Sequence, residues 1–126
     1  MSHMTAVRWQ PKDIDTVRDV AVELGYSFIE NRGYAKFYKG LQHECDIALR
    51  IPGTSHEAAL TRDGETWRVE LDSYGENGSR CKQGVGKLYE AYAERKISAV
   101  ARRRGLRVNK TVNAQGQTRL QLRRAN

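Results

Sequence analysis

Apolar positions recur at two periods along this chain, and each period predicts an element. In "TAVRWQ", residues 5–10, Val7 and Trp9 alternate with polar neighbours and predict a strand that Pro11 ends. "DIDTVRDVAVELG" switches to helical spacing. Ile14, Val17, Ala21 and Leu24 form one stripe, Asp13 is the expected N-cap, Asp15 suits the first turn and Gly25 the C′ position. "YSFIENRGYAKFYKG", residues 26–40, reads as an irregular strand or β-ribbon punctuated by Gly33 and Gly40. "CDIALRIPG" sets Ile47, Leu49 and Ile51 against Asp46 and Arg50, a strand ending at Pro52. "EAALTRDGETWRVELDSYG" is a hairpin with Asp63-Gly64 as its turn signal. Trp67, Val69 and Leu71 face one way; Arg68, Glu70 and Asp72 face the other and read as a solvated face.

"GENGSRCKQG" reads as a loop, and "VGKLYEAYAERKISAVARRRG" as the longest helix, stopped by Gly105. "LRVNKTVNAQGQTRLQL" closes the chain as a hairpin around "NAQG". Leu106, Val108, Val112, Leu120 and Leu122 fall on its inner face, where Lys110 breaks the pattern. This mixture of hairpins with two helices predicts an α+β fold. The expectation is a mostly antiparallel sheet of about five to six strands, two helices packed on one face, and a single domain over residues 1–126. The expected core is Trp9, Val17, Leu24, Leu49, Trp67, Val69, Leu71, Tyr92, Ile97, Val100, Val108 and Leu120.

Charge changes the picture more than composition does. The net charge is +7, but residues 1–94 hold 12 Lys+Arg against 15 Asp+Glu, while residues 95–126 hold 10 Lys+Arg and no acid. The basic character therefore belongs to the last quarter of the chain, which bears on partners and not on fold. Two cysteines, Cys45 and Cys81, form no CxxC pair, so a reducing cytoplasm is the expected setting. No apolar run is long enough to cross a membrane, and the start "MSHMTAVRWQ" has no apolar signal core.

"SAVARRRGLRV" concentrates the basic signal. Cations in a last helical turn oppose the macrodipole, which accounts for one or two arginines. It does not account for ten basic residues and no acid. The candidate contact residues for nucleic-acid phosphates, DNA or RNA, are Arg102, Arg103, Arg104, Arg107, Lys110, Arg119, Arg123 and Arg124. An acidic protein partner, a nucleotide ligand or a merely solvated face would use the same charge. Arg107, Arg119 and Arg123 share the outer face of the last hairpin by alternation, and consecutive helical positions turn by about 100°, so Arg102, Arg103 and Arg104 cannot all face one ligand. In "RGYAKFYKG", Tyr34, Phe37 and Tyr38 interleave with cations and are candidates for stacking on bases, against the alternative of rings packed on the core.

No catalytic arrangement emerges from spacing, so a non-enzymatic binding module is expected, with no cofactor and no metal. His43, Glu44 and Cys45 are adjacent on a strand and point to alternate faces, which keeps them from one ion. "KQGVGK", residues 82–87, lacks the Lys-Ser/Thr ending of a phosphate loop.

The order of these stretches resembles a conserved family of unknown function, typified by a hypothetical chloroplast reading frame of the Ycf type, with cyanobacterial, bacterial and phage relatives. The resemblance rests on Met1-Ser2-His3, Asp15 and Leu24-Gly25-Tyr26, then Asp72, Tyr74 and Gly75, then Tyr92, Ala93, Ala99 and Gly105, and the terminal "GQTRLQLRR". The sequence departs from the family in its polar "SYGENGSRCKQG" and in its basic terminal hairpin. The resemblance implies an α+β fold, a native Met1-Ser2-His3 start and no established activity.

Overall fold

The structure, a computed structural model, describes residues 4–124; Met1-Ser2-His3 lies outside the described residues. The fold is α+β, with nine strands and two helices among the described residues. The strands are β1 (Met4–Ala6), β2 (Ser27–Ile29), β3 (Tyr34–Lys36), β4 (Gln42–Glu44), β5 (Ile47–Arg50), β6 (Glu57–Asp63), β7 (Thr66–Asp72), β8 (Leu106–Val112) and β9 (Thr118–Arg124). The helices are α1 (Ile14–Glu23) and α2 (Gly75–Arg103). Two compact units divide the chain inside α2, one running to Tyr89 and the other starting at Glu90.

In the first unit, five antiparallel strands form a sheet in the order β1-β7-β6-β5-β2. Helix α1 forms where its caps say it should. Asp13 accepts from the Thr16 N–H at 3.2 Å and from the Thr16 hydroxyl at 2.6 Å, and Gly25 takes φ +81° just past the Leu24 C-cap. It buries Val17, Val20 and Ala21, while Leu24, expected in the core, is exposed at the helix end. The β6–β7 hairpin keeps the predicted faces, with Asp63 opposite Thr66 and Gly64-Glu65 as the turn, one residue later than Asp63-Gly64.

The helix face of the sheet carries Leu49, Leu60, Val69 and Leu71, all buried. Helix α2 packs there through Gly84, whose absent side chain leaves room for Ile51; a Cβ would lie 2.6 Å from Ile51 Cγ2. The Tyr26 hydroxyl donates to the Gly84 carbonyl at 2.9 Å beside it. That close approach explains why the glycine-rich stretch expected to be a loop is the first part of α2. Each glycine costs about 1 kcal/mol of helix propensity relative to alanine. The contact with the Ile51 side chain at Gly84, and with the Ser73 backbone at Gly78, where a Cβ would lie 2.2 Å away, requires the missing side chains. "KQGVGK" is therefore helix throughout.

The opposite face of the sheet is not solvated. The β3–β4 ribbon covers it, with a 3₁₀ turn at Tyr38–Gly40 between the two strands. Ala35, Phe37 and Cys45 from the ribbon segment join Ala48 and Ala59 from the sheet in one apolar cluster. Alanines at those sheet positions let the ribbon approach closely. None of the residues that α1 buries belongs to this cluster. The first strand is shorter than predicted, and Trp9 lies beyond it, half-buried and edge-on to Tyr89 at 5.6 Å.

The second unit contains the end of α2 and the β8–β9 hairpin, which pairs with itself rather than extending the large sheet. Gly105, at φ +67°, ends the helix as predicted. Of the expected core residues here, Tyr92, Ile97, Val100, Val108 and Leu120 are half-buried, and Ala101 is the fully buried one among the described residues of this unit.

Candidate nucleic-acid interface

The register of the last hairpin decides which cations share a face. Arg107 lies directly opposite Arg123, Asn109 opposite Gln121, and Thr111 opposite Arg119. These six side chains make the outer face, which holds no apolar and no acidic residue. Leu106, Val108, Lys110 and Val112 alternate onto the other face, opposite Arg124, Leu122, Leu120 and Thr118. Like charges directly opposite on a strand pair destabilise it. The Arg107–Arg123 pair is thus a local cost for the isolated chain, and an anion between the two would remove it.

The eight predicted cations do not act as one group. Arg103 ends α2, Arg104 precedes the Gly105 turn, and Arg124 lies opposite Leu106, the first residue after that turn. With the Arg107–Arg123 pair, they gather at the helix-to-strand end of the unit. Arg119 lies four register positions along, about 13 Å away. Lys110 is engaged: its Nζ lies 3.1 Å from Glu94 Oε2. Arg102 sits inside the last helical turn, where the macrodipole accounts for it. Arg102, Arg103, Arg104, Arg107, Arg119 and Arg124 are exposed and have no acidic partner among the described residues. Arg123 reaches the Gln121 side-chain oxygen at 3.4 Å.

The stacking candidates lie in the other unit and do not form an open platform. Phe37 is buried and stacks on the His43 ring at 4.8 Å, so it cannot receive a base. Tyr34 lies under the Arg32 guanidinium at 4.6 Å. Tyr38 packs against Tyr74 at 4.3 Å and edge-on to His56.

Sequence reasoning missed a buried polar layer beneath the ribbon. Glu57, 2% exposed, accepts from the Lys36 N–H at 2.9 Å, from Arg32 at the same oxygen, and from Arg50 Nε at 3.3 Å. Glu70 accepts from Arg68 Nε at 3.1 Å and faces His43 Nε2 at 3.3 Å. Asp72 accepts from the Tyr38 and Tyr74 N–H groups, each at 3.0 Å, and its carbonyl accepts from His56 Nδ1 at 2.9 Å. Burial alone would raise the pKa of Glu57, but the Lys36 N–H and the Arg32 guanidinium outweigh it and hold the carboxyl below its ordinary range. Burial is likewise outweighed at Glu70, by Arg68 and His43. Glu70 and Asp72, expected on a solvated face, are therefore structural anchors for the ribbon. The signal available in the sequence was the small Ala48 and Ala59 on the same strand faces.

His43, Glu44 and Cys45 diverge as alternation requires, and no group of three metal-ligating side chains forms among the described residues. Cys45 and Cys81 are buried thiols; burial pushes them up to about 11 and about 12. No helix among the described residues is long and apolar enough to cross a membrane. Neither a protein-family model, nor a curated protein, nor a solved structure matches the chain.

Proposed function

We propose that the unit from Glu90 onward is a binding module for nucleic-acid phosphates, DNA or RNA, without strong sequence readout. The observation that carries this reading is the Arg107–Arg123 pair, set face to face on an exposed, wholly polar strand surface with Arg103, Arg104 and Arg124 at the same end. Such a surface supplies charge-assisted contacts to phosphate oxygens and no apolar pocket for a base. A non-enzymatic role is supported by the state of the reactive groups. The thiols are buried and held neutral, and the buried carboxyls are engaged in holding the ribbon. Free, buried thiols also suit a reducing cytoplasm. The Ycf-type kinship is part of the proposal; it brings a fold and no activity.

Fluorescence anisotropy of labelled single-stranded and duplex oligonucleotides across a salt series tests the reading. Affinity should fall with salt by about 0.7–0.9 log units per decade for each phosphate contact. The pair Arg107→Gln with Arg123→Gln should reduce that slope by about two contacts, and Arg102→Gln should leave it nearly unchanged. Flat titrations at low salt overturn the proposal. Recovery from native cells gives the competing outcome: a stoichiometric acidic protein that survives nuclease treatment assigns the surface to a protein partner instead.

A further inference from the structure

We propose that the groove between β1 and α2, in the first unit, binds an extended peptide that adds to the β1 edge, with apolar side chains at alternate positions and an acidic flank. Strand β1 is the outer strand of the five-stranded sheet. The Val7 N–H donates to the Val69 carbonyl at 2.8 Å, and Thr5 pairs with Leu71. Alternation within β1 then turns the backbone groups of Met4 and Ala6 away from β7, toward the open edge. A strand laid along that edge would gain main-chain hydrogen bonds there, and the groove would receive every second side chain.

The groove is built to take them. Its volume is about 800 Å³, and its walls come from β1 with the extended chain that follows it to Gln10, and from one helix stripe. Val7 and Trp9 line it from the sheet side; Lys82, Val85, Gly86 and Tyr89 line it from α2, at the spacing that puts helical residues on one side. Trp9 and Tyr89, both lining it, meet edge-on at 5.6 Å and give it aromatic surface. Gly86 keeps the helix wall low: a Cβ there would meet nothing within 4 Å, unlike Gly84, which is pressed on Ile51. Two glycines two residues apart in one helix thus have different reasons. Gly84 admits the sheet, and Gly86 leaves space for something not in this chain's own core.

Charge selects the flank. Arg8 and Lys82 both line the groove, and neither has an acidic partner among the described residues. Carboxylates flanking the added strand would find two cations already in place.

A randomised peptide library displayed on phage, selected on the full chain, supplies the probe. The expected pool alternates apolar and polar positions and is enriched in Asp and Glu at one end. Fluorescence polarisation of a selected peptide should weaken about tenfold on Gly86→Leu, which fills the groove. The same change raises helix propensity, so misfolding does not explain the loss. Arg8→Glu with Lys82→Glu should weaken binding by a comparable factor, and a proline placed in the centre of the peptide should abolish it. A pool without alternation, or one whose binding ignores Gly86→Leu, overturns the proposal. So does a concentration-dependent dimer that Gly86→Leu dissolves, since that outcome assigns the edge to a second copy of this chain.

Discussion

On the covered face of the large sheet, Glu57, Glu70 and Asp72 lie beneath the β3–β4 ribbon; Glu57 and Asp72 accept from backbone N–H groups of the ribbon segment, and Glu70 is held between Arg68 of its own strand and His43 of β4. On the outer face of β8–β9, Arg107, Arg119 and Arg123 stand in solvent with no acid among them. Both are strand faces with charge at alternate positions, and alternation alone does not tell them apart. The difference lies in what covers them. A buried carboxylate that lacks partners costs several kcal/mol, so it persists where the fold surrounds it with donors. An exposed arginine is well hydrated and costs the fold little, so it can remain unpaired and available to a partner. Charge that the molecule satisfies internally is architecture; charge that it leaves open is the candidate for function.

The strongest way to break this contrast is Glu57→Ala. It leaves Arg32 without its buried partner and the Lys36 N–H without its acceptor, and should destabilise the chain by about 3–5 kcal/mol, read as a denaturant-midpoint shift at constant slope. A shift within error would show that the ribbon is not held by this layer. Acid reaches the same groups without mutation. Glu57 and Glu70 are held below the ordinary value of 4.5, so their stabilisation is fully present above that pH and is lost as pH falls through the lowered values. Stability followed from pH 7 to pH 2 should therefore decline below about 4.5 in the parent and decline less in Glu57→Gln.

Asp72→Asn should cost less, about 1–3 kcal/mol, because an amide keeps one acceptor oxygen and turns its NH₂ toward a backbone donor. Full stability would mean that the Tyr38 and Tyr74 N–H groups have other acceptors. The smallest effect has the opposite sign. Arg107→Gln relieves the like-charge pair with Arg123 and should stabilise the hairpin by about 0.2–1 kcal/mol in low salt, with the gain fading as salt is added. A destabilisation there would place Arg107 among the structural charges and erase the contrast.

The sequence by itself carries the signals that act over a few residues. The Asp13 cap, the Gly25 and Gly105 stops, the facing of Trp67, Val69 and Leu71, and the shared face of Arg107, Arg119 and Arg123 all follow from backbone geometry and short-range hydrogen bonds. The α+β class follows from their order. Tertiary structure decided the rest, because the deciding partners are far apart in the chain. Glu57 meets Arg32 25 residues away, and Asp72 meets Tyr38 34 residues away. Strand parity says which side a carboxylate leaves from and nothing about what lies over that side. The glycine-rich start of α2 reads as a loop by propensity and becomes helix because Gly84 needs contact with Ile51, a residue just past β5 and distant in the chain. The same holds for the last hairpin: its faces are set by alternation, but whether it joins the large sheet depends on which strand edges are left to pair, and it pairs with itself.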